Sequence, residues 1–131
     1  MTKQFIFNFL IGLLGLAFIS SCGGGEDTPP APTLQEIIQK VWILGTVNPD
    51  DFDQVTLTFT SNTATLVTDG ENVFANAGYT VNETTRVITV STTPNFVLNV
   101  TEATANRLRF SITINDPKVG DQTYNFDLVP Q

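Results

Sequence analysis

From residue 55 onward the chain alternates apolar and polar side chains with a period of two. Val55, Leu57 and Phe59 alternate with Thr56, Thr58 and Thr60, and Phe96, Leu98 and Val100 with Val97 and Asn99. Leu108, Phe110, Ile112 and Ile114 alternate with Arg109, Ser111 and Thr113, and Tyr124, Phe126 and Leu128 with Asn125 and Asp127. Successive side chains of a strand point to opposite faces, so each run reads as a strand with one buried face. Residues 42–47, 63–68, 73–81 and 86–91, rich in Thr and β-branched residues, bring the set to about eight. The alternation turns Leu57, Phe59, Leu98, Phe110, Ile112, Phe126 and Leu128 inward, with Ala75, Ala77 and Tyr79. It leaves Thr56, Thr58, Arg109 and Asp127 outside.

The breaks between these runs are short and carry turn chemistry. Asp69-Gly70 is a two-residue hairpin signal, 82–85 is polar, and 102–106 lacks any large apolar residue. Residues 48–53 and 115–121 read as longer connections, each containing a proline. Short connections make neighbouring strands antiparallel. About eight of them must then close on themselves or split into two sheets, because one open sheet would expose an apolar face and two edges. The expected architecture is a small up-and-down antiparallel barrel, with a β-sandwich as the alternative.

Ahead of the strands, Thr33-Leu34-Gln35-Glu36 has the spacing of a helix capping box. Leu34, Ile37, Ile38 and Val41 fall on one face of a helix of about two turns, too short to be stable unless that face packs on something. A lid on the strand core is expected. A helix lying on a membrane is disfavoured by a polar face offering Glu36 and only Lys40.

The first 32 residues have a different character. Lys3 precedes an apolar run from Phe5 to Ile19 broken only by Asn8, a length suited to a secretory signal but short for a membrane span. The run ends in Ile19-Ser20-Ser21-Cys22, which resembles the lipobox of bacterial lipoproteins. That resemblance implies lipid attachment to the Cys22 thiol and cleavage before it. It makes 1–21 a signal peptide, 22–32 an acylated Cys with a Gly- and Pro-rich tether, and 33–131 the folded domain. Gly23-Gly24-Gly25-Glu26-Asp27 also resembles the export signals of Bacteroidetes surface lipoproteins. The expected location is the bacterial cell envelope, on the outer membrane, facing the periplasm or the cell surface.

Charge narrows the partners. Loss of Lys3 leaves five basic residues against the 13 acidic ones, a balance of about −8. A domain of that sign is repelled by nucleic acid. With no His, and no Ser or Thr beside a recognisable base, a nucleophilic or zinc enzyme has nothing to run on, and no cofactor is implied. Asp50, Asp51 and Asp53 share one segment and could offer oxygen ligands to calcium, but they lack the spacing of a calcium loop. A solvated acidic loop is the expected reading, and no metal is assigned. Arg107 and Arg109, two apart on an outward face, are expected to pair with acids on a neighbouring strand rather than to form an anion site. Asn82-Glu83-Thr84 and Asn99-Val100-Thr101 match glycosylation sequons without a reason to expect modification.

The order of elements resembles the lipocalin-like domains of Bacteroidetes lipoproteins. A short helix precedes a strand opening at Trp42, then Gln54-Val55-Thr56-Leu57-Thr58-Phe59, Gly78-Tyr79-Thr80-Val81, and a closing Tyr124-Asn125-Phe126-Asp127-Leu128. The resemblance implies a barrel with Trp42 in its floor, binding a small apolar molecule or a glycan. The alternative is an accessory subunit of an envelope complex that works through protein contacts. Phe59, Tyr79, Phe96, Phe110, Tyr124 and Phe126 compete for the same interior, so a largely filled barrel is expected. A ligand would then sit at the open rim near 48–53, with Trp42, Asp50, Asp51 and Asp53 as candidate contacts. For the anchor, the wild-type chain is expected to incorporate a fatty-acid analogue and to fractionate with membranes. Cys22→Ala should lose the label, and undiminished labelling of that variant would refute lipidation at this residue.

Overall fold

The structure is a computed structural model, and it describes residues 28–45 and 52–131. The signal, Cys22, Gly23 to Asp27, Asp50 and Asp51 lie outside the described residues. Residues 32–131 form one compact unit. A helix, α1 (Leu34–Ile38), precedes eight strands: β1 (Val41–Leu44), β2 (Val55–Phe59), β3 (Thr63–Thr68), β4 (Glu71–Asn82), β5 (Val87–Val90), β6 (Phe96–Ala103), β7 (Leu108–Asp116) and β8 (Gly120–Pro130). Each strand pairs antiparallel with the next, and β8 returns to pair with β1, so the sheet is a closed up-and-down barrel.

α1 is specified at its start. The Thr33 hydroxyl accepts from the Glu36 N–H at 3.2 Å, and the Glu36 carboxylate accepts from the Thr33 N–H at 2.8 Å. The Leu34 and Gln35 N–H groups donate to the carboxylate of Glu83, from the β4–β5 turn, at 2.8 and 3.1 Å. The first-turn donors that a helix leaves unpaired are thereby satisfied, and α1 is tied to one end of the barrel. Leu34 and Ile38 are buried there. The helix stops sooner than its apolar spacing suggests: Val41, expected on the helix face, is the first residue of β1.

Trp42 is fully buried beside α1, its indole N–H donating to the Ile38 carbonyl at 2.9 Å. Lys40 lies over the indole, its Nζ 5.0 Å from the ring centre, and donates to the Ala105 carbonyl at 3.2 Å. The helix end of the barrel thus has a packed floor. The inward residues expected from alternation are buried: Leu57, Phe59, Leu98, Phe110, Ile112, Phe126 and Leu128 are each at most 4% exposed.

Register shifts interrupt simple alternation in β4 and, between Val100 and Glu102, in β6. Ala64 pairs with Ala77 but Leu66 with Phe74, so β4 carries an extra residue there. Asn76 absorbs it with φ 48°, in the left-handed region Asn tolerates, and donates its N–H to the Thr65 hydroxyl at 2.9 Å. The bulge puts buried Phe74 inside and leaves Ala75, expected inward, exposed, while Ala77 still packs on the core. Residues 115–121 are not a long connection either. β7 and β8 stay paired as far as Asp116 and Gly120, and the tip is held by the Asp116 carboxylate, which accepts from the Lys118 and Val119 N–H groups. At the β3–β4 hairpin, Asp69 and Gly70 take φ 50° and 84°, as a two-residue turn that matches strand twist requires.

Phe110 is 2% exposed and stacked on Phe126, with ring centres 4.8 Å apart. Phe110→Ala is expected to destabilise the barrel by about 3–5 kcal/mol in urea unfolding. Val119→Ala, at an exposed hairpin tip, should shift the midpoint little. An unchanged midpoint for Phe110→Ala would show the inward face to be misassigned.

Candidate functional site

The chain direction sorts the connections into two ends. α1 and the β2–β3, β4–β5 and β6–β7 turns share one end, while Gly45, residues 52–54, the β3–β4 hairpin, the β5–β6 connection and the β7–β8 hairpin surround the other. At this second end the barrel opens into a cup of about 220 Å³, lined by Phe52, Leu66, Thr68, Val73, Ile112, Ile114, Tyr124 and Phe126. Trp42, Ile38, Leu57 and Leu108 fill the helix end, while towards the mouth Thr68, Val73 and Ile114 face the rings of Phe52, Tyr124 and Phe126 with space left between them.

Phe52 comes from the β1–β2 connection and lies against the wall of the cup. Its ring stacks on Phe126 at 5.2 Å and meets Tyr124 at 5.9 Å, and Phe126 stacks in turn on Phe110. The connection is tied to the β3–β4 hairpin, because the Asp69 carboxylate accepts from the Asp53 and Gln54 N–H groups at 2.9 and 2.8 Å. The Asp69 N–H returns a bond to the Gln54 carbonyl at 2.8 Å. The turn residue that bends β3 into β4 therefore also fixes where Phe52 enters. Two hydroxyls, from Thr68 and Tyr124, belong to the otherwise apolar lining.

The residues expected at the rim divide. Asp53 is there, exposed, with its backbone bound to Asp69. Asp50 and Asp51 lie outside the described residues. Trp42 is in the floor at the opposite end and not at the rim, because its indole fills the barrel beneath α1. Phe52, Thr68, Val73 and Ile114 were not among the expected contacts. Phe52 carried a signal of its own, as a single large apolar residue between Asp51 and Asp53.

A second, more open hollow of about 420 Å³ lies on the outer wall of β6, β7 and β8, bordered by Thr101, Arg109, Ser111, Asn125 and Asp127 among others. Its charges are committed to each other. Arg107 makes a two-pronged bond to the Asp127 carboxylate at 2.9 and 2.6 Å, and Arg109 reaches the same group at 3.0 Å and Glu102 at 3.6 Å. The expected cross-strand pairing of the two arginines is what the structure contains. Asp127, however, expected outside, is 3% exposed, because both guanidinium groups lie across a side chain that points away from the core. The hydrogen bond from Arg107 holds its carboxyl below the usual carboxylate range, against the opposing effect of burial and with help from Arg109. Asp127 in turn raises Arg107 above its ordinary value.

No protein-family model, no curated protein and no solved structure matches this chain. Fold and site define a class: a closed eight-stranded up-and-down barrel with a packed floor under a short helix and an apolar cup at its mouth.

A carboxyl whose folded pKa is depressed adds stability above its unfolded pKa of about 3.9, and that stability is lost as pH falls through the folded value. The stability advantage of the wild type over Asp127→Asn is therefore expected to be constant between about pH 6 and 8 and to shrink below about pH 4. Urea unfolding of both proteins across this range checks it, and an advantage that grows on acidification would contradict it.

Proposed function

We propose that this chain is an envelope lipoprotein, anchored through lipid on Cys22, whose barrel binds a small apolar molecule in its open mouth. The anchoring half rests on the lipobox-like Ile19-Ser20-Ser21-Cys22 and the apolar segment before it. The binding half rests on the cup of about 220 Å³ and its lining of aliphatic and aromatic side chains. Its size restricts the ligand. A dry apolar cavity of about 150 Å³ accommodates benzene, whereas drug-sized ligands occupy about 300–1,000 Å³. A single ring with a short substituent, or the end of a chain, is the right scale. The lipocalin-like reading of the sequence agrees with such a carrier. The other reading, an accessory subunit, needs exposed apolar surface, and among the described residues the large exposed apolar side chains are Val97 and Val119.

Indole, a neutral probe of that scale, is expected to saturate the cup when the full chain is held in zwitterionic nanodiscs. Methyl shifts of Ile112 and Ile114 report it. Val73→Trp should abolish the saturable shift by filling the space, while Val97→Trp, on the outward face of β6, should not. Non-saturable shifts, or shifts unchanged in Val73→Trp, would remove the cup as the binding site.

A further inference from the structure

The charges of the barrel are separated along its axis. At the helix end and along the outer wall nearest to it, Lys40, Arg86, Arg107 and Arg109 are matched by Glu36, Glu83, Glu102 and Asp127. Around the mouth stand Asp53, Asp69, Glu71, Asp116 and Asp121 against Lys118 alone among the described residues. The whole acidic excess of the described barrel is therefore at the mouth.

These acids are close to the cup in sequence as well as by end. Asp53 follows Phe52, Asp69 follows Thr68, Glu71 is two residues before Val73, Asp116 is two after Ile114, and Asp121 is three before Tyr124. At about 3.3 Å per residue along a strand, every one lies within about 10 Å of a lining residue, comparable to the screening length at moderate salt. Three of the five have local tasks. Asp69 holds the β1–β2 connection, Asp116 the hairpin tip, and Asp121 accepts from the Asn115 side chain at 2.6 Å. The Asp53 and Glu71 carboxylates have no hydrogen-bond or ion-pair partner among the described residues, so no contact among those residues accounts for their charge.

The geometry points to a ligand class: the cup selects small organic cations, an apolar ring carrying an ammonium group, over the matching carboxylates. The ring enters the apolar cup against Phe52, Phe126 and Tyr124. The ammonium stays at the rim, where the acid excess lowers its energy and the faces of the mouth aromatics add cation–π attraction. A carboxylate in the same pose meets like charge. This inference rests on the cup being a binding site, and it adds a sign that the apolar lining alone does not supply.

Three probes sharing one ring separate the two ideas: 2-phenylethylamine, 2-phenylethanol and phenylacetate, titrated into the full chain in zwitterionic nanodiscs and read at Ile112 and Ile114. At low salt the amine is expected to bind at least about ten-fold more tightly than phenylacetate, with the alcohol between them. In about 1 M salt, where the screening length falls to about 3 Å, the three should converge to within about two-fold. Asp53→Asn combined with Glu71→Gln should reduce the ratio of amine to carboxylate affinity at low salt without changing that of the alcohol. Binding of the alcohol with no preference for the amine, or a preference that survives high salt and the double variant, overturns the charge selection and leaves the cup standing. No saturable shift with any probe overturns both.

Discussion

The seam between β1 and β8 is the constraint on which the barrel depends. A meander of eight strands has two edges, and its inward residues are sheltered only if those edges meet. Here the closing strand is short: β1 has four residues, with three aligned pairs to β8 and three to β2. Bonds just outside the strand extend the seam. The Gly45 N–H donates to the Asp127 carbonyl and the Gln131 N–H to the Val41 carbonyl, each at 3.0 Å. A side chain at residue 45 would press on that carbonyl, its Cβ 3.0 Å from the Asp127 oxygen. Asp127 therefore serves both neighbours of β8, its carbonyl binding Gly45 at the β1 seam and its carboxylate binding Arg107 and Arg109 on the β7 side. Its burial follows from the second, because both guanidinium groups lie across it.

Closure leaves the two ends to be filled, and the chain treats them differently. At the first end Trp42, Ile38 and Leu34 make a floor, and polar groups bind the covering helix at both of its ends: Glu83 to its first N–H groups, Trp42 to its last carbonyl. Packing to this density is worth most in a small barrel, which buries a limited fraction of its surface. The other end receives Phe52 from a connection latched to Asp69, with space left beside it. The floor beneath α1 is filled, and the mouth keeps a cup beside Phe52.

Most of this was legible because period-two alternation is a direct consequence of strand geometry. Residues 63–68 fall where the pattern placed a strand, and Asp69-Gly70 forms the hairpin its composition requires. The capping box likewise states its own geometry. What escaped depended on pairing rather than on local pattern. The bulge at Asn76 is a count of residues against a partner strand, and nothing in residues 73–81 alone says that Phe74 rather than Ala75 turns inward. The burial of Asp127 depends on the register that sets it opposite Arg109. The lipocalin-like resemblance implied Trp42 in the floor while the candidate contacts also put it at the rim, and deciding between the two needed the direction of every strand. The cup itself is a space between side chains of several strands, which emerges only when those strands are aligned.

The charge distribution carries the argument beyond packing. Net charge of one sign makes a compact protein repel itself, and a chain selected for stability alone gains by alternating signs at its loops. This chain does so near the helix end, where Arg107 and Arg109 compensate Asp127 and Glu102. At the mouth the same compensation is available in principle, since Lys or Arg is tolerated at exposed hairpin tips, yet among the described residues Lys118 stands alone against five carboxylates. Asp69, Asp116 and Asp121 are accounted for by the turns they build, which leaves the Asp53 and Glu71 carboxylates without a hydrogen-bond or ion-pair partner among the described residues. Solubility would be served by acids anywhere on the surface. Their placement at the mouth, beside an apolar opening, is the observation that supports reading that opening as having a sign as well as a shape.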